Sequence, residues 1–369
     1  MSKSRIALVS PYALGVFGGV QEQVLAMSRE LEKRGHEVLI VAPDRRDRSS
    51  LDTPATVRRF GRRLAVPANG SVAPLTLSPV ASRQAMRTII EFAPDVVHFH
   101  EPFAPLVGWA SLRAHTAPAV GTFHRSGAGP ALDLTRPLLR FLARGLDAAT
   151  AVSESAASTI ERAAGVRAEV LFNGFEMERF LAMPRERSDE TVLLVIGRFE
   201  ERKGTAHAIS AVRAHNARGQ VQWRLVVLGD GPQRARLEAL AAHDTMIEFV
   251  GALDDVDKRA WLRRANALIA PATHGESFGL VLLEAMASEI VVVASDISGY
   301  REAVGSHGVL FAPGDEAALE VAITKALAVE TPQVIAAARD YAQRWSMSAL
   351  MDAYDVIYDS ACERFKAAR

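Results

Sequence analysis

Short apolar runs alternate with longer amphipathic stretches through most of the chain. In the first half, the apolar runs occupy residues 5–10, 37–42, 96–99 and 119–123. In the second half, they occupy residues 192–196, 224–228, 247–250, 267–270 and 290–294. Runs this short and this continuously apolar are typical of strands buried on both faces, and the stretches between them have a helical period. Their alternation predicts parallel sheets covered by helices on both faces.

The length and the pattern together predict two domains. A chain of 369 residues is longer than a domain built on a single hydrophobic core usually is. Strand periodicity is lost at residues 177–189, where the chain becomes charged. We therefore expect two doubly wound α/β domains, at residues 1–180 and 181–347. A last helical stretch, residues 348–369, is expected to pack back on the first domain.

Composition narrows the possible partners and the compartment. The chain has 43 basic and 43 acidic residues, which argues against a nucleic-acid-binding protein driven by bulk charge. The basic residues are in excess in the first half, which is therefore the better candidate to meet an anionic partner or surface. The single cysteine excludes an internal disulfide and suits a reducing cytoplasm. No apolar run approaches the ~20 residues of a spanning helix, so any membrane contact is expected to be peripheral.

A glycine pair follows the first predicted strand. Gly18 and Gly19 lie directly before the helical stretch at 20–34, which Gly35 ends. Glycine allows backbone N–H groups to approach a ligand closely, and a helix N-terminus favours anions. A phosphate could bind here, although a glycine pair before a helix is more often a tight turn.

Histidines stand at the ends of two further strands. His98 and His100 share one face of the run that ends in HFHEP, where a metal site is conceivable, but bonding to the backbone is the favoured interpretation. His124 ends the next run, in TFH. Its place at a carboxyl end makes a ligand contact and a structural role about equally plausible.

The sequence GRFEERKG follows the first strand of the second domain. Arg198 and Lys203 are separated by a short loop that Gly204 closes. A guanidinium and an ammonium that converge suit a diphosphate. The intervening Glu200, Glu201 and Arg202 are expected to be solvated.

The segment 274–288, HGESFGLVLLEAMAS, is predicted to be a loop that becomes a helix. Its first residues leave free N–H groups that could bind phosphate oxygens. Glu276 lies in the loop, and Glu284 lies about two helical turns into the helix. Capping could explain an acidic residue near the start, but not one as far in as Glu284. A phosphate site flanked by two carboxylates suits a sugar nucleotide.

These motifs together resemble glycosyltransferase family 4, a family of retaining enzymes. Glu276 and Glu284 match its Glu-x7-Glu signature, and GRFEERKG, HFHEP, TFH and the FNG at residues 172–174 occur in the family's order. The resemblance implies the GT-B fold, in which two doubly wound domains face a central cleft and a C-terminal helix crosses back to the first domain. Within the family, the sequence is most similar to the actinobacterial phosphatidylinositol mannosyltransferases. These enzymes use GDP-mannose.

The resemblance also implies roles for individual residues. It places the catalytic groups at His124, Arg198, Lys203 and Glu276. The donor would be bound by Gly18, Gly19, Arg198, Lys203, Gly275, Glu276, Ser277, Phe278, Gly279 and Glu284. The acceptor, phosphatidylinositol or a related lipid, would lie near Tyr12, Asn69, Gly70 and Ser71. No tightly bound cofactor is implied; Mg²⁺ is possible, but no metal-ligand cluster is evident.

An amphipathic stretch at residues 82–92 is the candidate membrane surface. Arg83 and Arg87 share one face of it, and Met86, Ile89 and Ile90 are available to a bilayer. A helix packed on its own sheet is an equally good interpretation. Arg58, Arg59, Arg62 and Arg63 could add basic charge. The expected location is the cytoplasm, peripherally on the inner face of the plasma membrane.

Two other functions remain open at this stage. One keeps the family but changes the substrates, to UDP-glucose or UDP-N-acetylglucosamine and a soluble acceptor. The other is a non-catalytic protein that binds a sugar nucleotide or a lipid. The intact set of Arg198, Lys203, Glu276 and Glu284 argues against the second.

Overall fold

The computed structural model describes residues 3–16, 18–44, 51–68, 71–104, 108–125, 130–181, 186, 189–219, 221–276 and 278–369. Contacts within the chain divide it into two compact units. The first unit comprises Met1–Gly174 together with Met347–Arg369, and the second comprises Phe175–Ser346.

The first unit is built on a seven-stranded parallel sheet with the order β3-β2-β1-β6-β7-β8-β9. Its elements before the boundary are β1 (Arg5–Val9), α1 (Gly19–Lys33), β2 (Glu37–Pro43), β3 (Thr56–Phe60), β4 (Leu64–Ala68), β5 (Ser71–Leu75), α2 (Pro79–Phe92), β6 (Val96–His100), α3 (Trp109–Ala114), β7 (Ala119–Phe123), α4 (Pro130–Ala143), β8 (Ala148–Ala151), α5 (Glu154–Ala164) and β9 (Glu169–Val170). Strands β4 and β5 form a separate antiparallel hairpin.

The second unit contains a six-stranded parallel sheet with the order β12-β11-β10-β13-β14-β15. Its elements are α6 (Glu178–Leu181), β10 (Thr191–Ile196), α7 (Thr205–Ala217), β11 (Trp223–Leu228), α8 (Arg234–Ala241), β12 (Ile247–Gly251), α9 (Asp255–Arg264), β13 (Ala267–Ala270), α10 (Leu280–Ala287), β14 (Val291–Ser295), α11 (Ser298–Val304), β15 (Val309–Phe311), α12 (Glu316–Ala328) and α13 (Pro332–Ala342). Short 3₁₀ turns occupy Glu201–Lys203 and Gln343–Trp345.

The chain then returns to the first unit as α14 (Met347–Ala367). Its buried side chains recur every three or four residues, which gives the helix one apolar face: Met347, Leu350, Met351, Tyr354, Ile357, Tyr358 and Ala361. That face joins the core that α1 forms with the sheet. Arg34, at the end of α1, pairs with Asp352 at 2.8 Å and Asp355 at 3.2 Å. The predicted return of the C-terminal helix to the first domain is therefore confirmed.

The doubly wound fold predicted from the apolar runs is confirmed in both units, and each run becomes a strand whose ends differ from the prediction by at most one residue. The strands that the pattern missed are short or charged. The edge strand β3, for example, carries Arg58 and Arg59 and has no buried face long enough to mark it. The order of strands reverses between β1 and β6 in one sheet, and between β10 and β13 in the other. In doubly wound sheets, the loops at such a reversal form the ligand site.

Candidate active site

In the second unit, the loops after β10 and β13 meet at the reversal of strand order. The backbone N–H of Thr273 donates to the carbonyl oxygen of Arg202 at 2.8 Å. Gly204 has a φ of +66°, and a Cβ there would lie 1.9 Å from the carbonyl oxygen of Pro271. Only glycine allows so close an approach, so the two loops are fixed against each other where Arg202 and Gly204 meet Pro271 and Thr273.

Glu276 is the centre of the charged groups on these loops. One of its oxygens, Oε1, accepts from Lys203 Nζ at 2.8 Å and from Arg202 Nη1 at 2.5 Å. The carboxylate is only 12% exposed. Lys203 lies beside Glu276. Its Cδ is 3.8 Å from the position that a Cβ on Gly197 would occupy. Two sequence-predicted residues, Lys203 and Glu276, are thus brought into direct contact.

Arg202 links Glu276 to the other predicted cation. It donates to Glu200 at 2.9 Å and to the carbonyl oxygen of Gly275 at 3.1 Å. Glu200 in turn pairs with Arg198 at 3.3 Å. Burial alone would lower the pKa of Arg202, but the neighbouring Glu276 and Glu200 raise it. The expectation that Glu200 and Arg202 are solvated is therefore wrong, because both are held in this network, whereas Glu201 is 82% exposed.

Arg198 is the most exposed cation of the network. Its side chain is 58% exposed, against 22% for that of Lys203. Arg198 is therefore the cation with most freedom to meet an incoming anion.

Glu284 lies in a second ion-paired site on the same unit. Its Oε1 accepts from Lys258 Nζ, in α9, at 3.0 Å, and Lys258 also pairs with Asp255 at 3.4 Å. Burial would lower the pKa of Lys258, but Glu284 and Asp255 raise it. The Glu284 carboxylate is 16% exposed. It is therefore a fixed acceptor in the second turn of α10, at the depth that the sequence predicted.

The residues just before α10 have different surroundings. Gly279 has a φ of +90°, and a Cβ there would lie 2.6 Å from the ring of Tyr300. The side chain of Phe278 is buried against Trp345, with the ring centroids 4.8 Å apart. The predicted contact of Phe278 with a ligand is therefore limited to its backbone. Ser277 lies outside the described residues.

In the first unit, the two glycines before α1 differ in what surrounds them. A Cβ on Gly18 would lie 2.6 Å from the side-chain oxygen of Gln21. A Cβ on Gly19 would meet no atom within 4 Å, and its φ is not in the left-handed region. Neither packing nor backbone conformation requires glycine at position 19. Open space at a helix N-terminus is what a closely approaching ligand would need.

The histidines at the ends of β6 and β7 form a buried polar cluster. His98 bonds through Nδ1 to the hydroxyl of Tyr358 at 2.8 Å and through Nε2 to Thr122 at 2.6 Å. His100 stacks on His98 and approaches His124 with 3.1 Å between Nδ1 and Nε2. Side chains, not the expected backbone groups, are thus the partners of His98 and His100. Burial lowers the pKa of His98 to about 3 and that of His124 to about 4.

The predicted acceptor residues are only partly described. Tyr12 follows β1, and burial raises the pKa of its hydroxyl, with a smaller contribution from Glu101. Ser71 begins β5, opposite Ala68 in the hairpin. Asn69 and Gly70 lie outside the described residues.

The predicted membrane residues fall on β3, α2 and the loop between β3 and β4. Arg83 and Arg87 are exposed on α2. Ile89, expected to face a bilayer, is 1% exposed, because it lies on the face of α2 that packs against the sheet. Arg58 and Arg59 are successive residues of β3, so their side chains point to opposite faces of the sheet. Arg62 and Arg63 are exposed beside a pocket of about 520 Å³ between Gly61 and Gln84.

Comparison with known proteins identifies the family of this chain. A model of Glycosyltransferase Family 4 matches residues 17–179, and a model of glycosyl transferases group 1 matches residues 177–345. A phosphatidyl-myo-inositol mannosyltransferase of Mycobacterium leprae is 35% identical over 96% of this chain and 98% of that protein. The chain belongs to glycosyltransferase family 4.

Two further matches agree with this family. A phosphatidyl-myo-inositol mannosyltransferase of Propionibacterium freudenreichii is 33% identical to the glycosyltransferase, over 99% of this chain and 97% of that protein. The crystal structure of a glycosyltransferase from Rickettsia africae superposes with a TM-score of 0.77 at 17% identity, covering 98% of this chain and 99% of that one. The second match supports the GT-B fold.

The sequence did not indicate the roles of Arg202 and Lys258 in the glycosyltransferase's polar clusters, nor the contact of His100 with His124. Arg202 lies inside GRFEERKG, but alternating charges made it resemble a solvated residue. Lys258 has no motif, and folding alone brings it to Glu284, 26 residues away. His100 was noticed as a strand-end histidine, but its contact with His124 depends on the pairing of β6 with β7.

The described residues of the glycosyltransferase contain neither a metal-binding cluster nor a single membrane-spanning helix. Within them, no three His, Cys, Asp or Glu side chains are grouped so as to hold a metal ion. Within the same residues, no one helix has the length and apolarity to cross a membrane; a bent pair, Glu316–Ala328 with Pro332–Trp345, passes on length and composition only when taken together.

Proposed function

We propose that this glycosyltransferase moves mannose from GDP-mannose to phosphatidylinositol, or a related lipid, at a membrane surface, with retention at the anomeric carbon. The names and identities of the two mannosyltransferase relatives support mannose as the transferred sugar and phosphatidylinositol as the acceptor. The observation that carries the chemistry is the contact of Lys203 with Glu276, where the loops after β10 and β13 meet.

The second unit would bind the donor through its two ion-paired sites. Lys203 and Arg198 would hold the diphosphate, whose oxygens suit an ammonium and a guanidinium. Glu276 would accept from mannose hydroxyls, and Glu284 would accept from those of the ribose. Because Lys203 is paired with Glu276 in this structure, the diphosphate competes with Glu276 for the same ammonium. The Arg202 contact would keep Glu276 oriented during this exchange.

The first unit would contribute Gly19 and His124. Gly19 would let the backbone approach the β-phosphate, since the space that a side chain would fill is open. His124 would contact the transferred sugar. As a neutral imidazole it can donate or accept a hydrogen bond there without placing a full charge near the reacting carbon.

Transfer with retention requires no protein nucleophile in a front-face route. The bond between the anomeric carbon and the β-phosphate oxygen breaks, and a bond from the same carbon to the acceptor oxygen forms on the same face. The acceptor proton passes to the departing phosphate oxygen. Lys203 and Arg198 would stabilise the negative charge that develops on that leaving group.

The acceptor would meet the first unit at the exposed surface of α2 and the neighbouring loop. Val80 and Ile90 are 60% and 45% exposed there, beside the exposed Arg83 and Arg87. Exposed apolar side chains next to arginines suit an anionic lipid surface. Tyr12, Asn69, Gly70 and Ser71 would lie near the inositol.

A transfer assay with vesicles tests the function. Purified protein, GDP-mannose labelled in the sugar and vesicles containing phosphatidylinositol should give labelled lipid. Replacing Lys203 by Ala should lower kcat/KM by roughly 100-fold or more, because it removes a charge that acts on the leaving group. Lys325→Ala, an exposed position on α12 of the same unit, is the matched control and should retain activity.

Three different outcomes would contradict the diphosphate role of Lys203, the donor and the acceptor separately. Near-normal turnover by a folded Lys203→Ala variant would contradict the diphosphate role. Tighter calorimetric binding of UDP-glucose or UDP-N-acetylglucosamine than of GDP-mannose would contradict the donor. Transfer to a soluble acceptor but not to phosphatidylinositol would contradict the acceptor.

A further inference from the structure

His100 is the side chain that contacts the ring of His124. It ends β6, and its backbone is paired in register with Thr122 of β7, two residues before His124. Its Nδ1 lies 3.1 Å from His124 Nε2, and the two ring centroids are 5.4 Å apart. His100 is 1% exposed. The hydrogen bond therefore joins a fully buried ring to one that is only partly buried.

The position of the shared proton follows from the surroundings of His100. Burial lowers the pKa of His124 to about 4 and that of His100 well below its usual range, so both rings are neutral near pH 7. A neutral imidazole has one N–H donor and one bare nitrogen, so one ring donates and the other accepts.

The other nitrogen of His100 decides between the two possibilities. His100 Nε2 is buried and has no hydrogen-bond partner among the described residues. If His124 donated, this nitrogen would carry an N–H buried without an acceptor. If His100 donates through Nδ1, its Nε2 carries no hydrogen. A buried N–H group without an acceptor is rarer than a buried acceptor without a donor, and it costs more free energy. His100 Nδ1 therefore donates, and His124 carries its own proton on Nδ1.

The neighbours of His100 hold both rings in place. Behind it, the ring of His98 is stacked at a centroid distance of 4.7 Å and an angle of 10°. Glu101, with a φ of +45°, accepts from the backbone N–H groups of His124 and Arg125 at 2.5 Å each. A non-glycine residue in the left-handed region is strained and persists only where its surroundings enforce it. Here the strain places a carboxylate that fixes the backbone of His124.

We propose that His100 is a positioning residue that holds His124 as the Nδ1–H tautomer, so that His124 offers a hydrogen-bond donor to an oxygen of the transferred sugar. This inference depends on the proposed function for the identity of the sugar. The choice of tautomer depends only on contacts within the first unit.

Nitrogen-15 NMR of the full chain tests the tautomer without any substrate. With labelled histidine, and with His124→Gln to assign the signals, His124 is expected to be protonated at Nδ1 near pH 7. His100→Leu should abolish this preference and give a mixture of tautomers. Protonation of His124 at Nε2 in the unsubstituted protein would overturn the proposal, whatever the variants do.

Kinetics test the consequence for transfer. His100→Leu should lower kcat roughly 10- to 100-fold with little change in the KM for the donor, because a catalytic contact loses its orientation. His100→Asn should recover most of the loss, since its amide N–H₂ can occupy the place of Nδ1–H. Equal kcat values in the folded Leu variant and the unsubstituted protein, or an equal loss in the Asn and Leu variants, would overturn the proposal.

His36→Leu is the matched control, because His36 is buried in the same unit and bonds to Ser4, not to His124. It should change stability but not kcat. If the unsubstituted protein transfers no mannose, the proposed function is wrong. The NMR measurement of the His124 tautomer would still test whether His100 positions His124.

Discussion

At the scale of single residues, Glu276 accepts both Lys203 and Arg202 through one oxygen. Arg202 is also held by Glu200 and by the carbonyl oxygen of Gly275. Under the proposed function, Lys203 would therefore leave Glu276 for the phosphate, and Arg202 would remain with the carboxylate.

Replacing Arg202 by Ala should weaken donor binding about tenfold, because one charge-assisted hydrogen bond that orients Glu276 is lost, at ~1.5 kcal/mol. Calorimetry with GDP-mannose measures the change. Arg236→Ala is the control. The Arg236 side chain is 65% exposed and pairs with Glu201 at 3.9 Å, so this variant should bind GDP-mannose as the unsubstituted protein does. Unchanged affinity in a folded Arg202→Ala variant would show that Glu276 needs no such support.

Glycine substitutions separate packing from ligand binding. Gly204→Ala should lower the free energy of unfolding by roughly 2–4 kcal/mol, through left-handed strain and the collision with Pro271. Gly19→Ala should leave thermal stability unchanged or slightly raised, because its Cβ meets open space. It should nevertheless reduce transfer roughly tenfold or more, by blocking the phosphate. Full activity of Gly19→Ala would show that no ligand occupies that space.

At the scale of elements, α2 confirms the interpretation of a helix packed on its own sheet, and its contact with a membrane stays a prediction. Ala81, Ala85 and Ile89 recur every four residues and are buried, and Ala85 and Ile89 belong to the core that α2 forms with the sheet. Arg83 and Arg87 lie on the exposed side of the same helix. One helix thus provides a core face and a basic face, and Val80 and Ile90 are apolar residues of α2 that remain exposed.

The double variant Arg83→Ser and Arg87→Ser should bind anionic vesicles about 30-fold more weakly, since each basic residue near such a surface contributes ~1 kcal/mol. Flotation or sedimentation with vesicles of stated phosphatidylinositol content measures this. The matched double variant Arg162→Ser and Arg167→Ser, at exposed positions in and just after α5, should bind normally. Equal loss in both pairs would indicate a response to net charge alone.

At the scale of the whole molecule, the return of α14 links the two ends of the chain within the first unit. Tyr358 of this helix bonds to His98 of β6, and Tyr354 bonds to Thr122 of β7. The C-terminal helix thus covers the buried polar cluster that contains His100. These histidines are neutral and buried, which makes stability depend on pH.

Stability of the first unit should fall as the pH drops from about 6.5 towards 4. An unfolded histidine titrates near 6.5, whereas the folded pKa values of His98 and His124 are about 3 and about 4. In this window the unfolded chain binds more protons, so acid favours unfolding; above it, both states are neutral and the effect vanishes. Glu101, whose pKa is raised by burial, acts in the opposite sense.

Chemical denaturation at several pH values measures this slope. His98→Gln should flatten it, because it removes one of the three histidines of this cluster whose pKa values are lowered by burial. His243→Gln, at an exposed position in the second unit, should leave it unchanged. An unaltered slope in the His98→Gln variant would contradict the assignment of the pH dependence to this cluster.

The sequence alone determined the two doubly wound sheets, the return of the last helix, the loops that carry Lys203 and Glu276, and the helix that carries Glu284. Hydrophobic period and glycine placement are local properties, so they can be recognised along the chain. Only the tertiary structure decided that Arg202 is bound to Glu276, that Lys258 faces Glu284, and that His100 contacts His124. These contacts join residues that strand pairing and helix packing bring together, and no local pattern records which distant partner a polar side chain will meet.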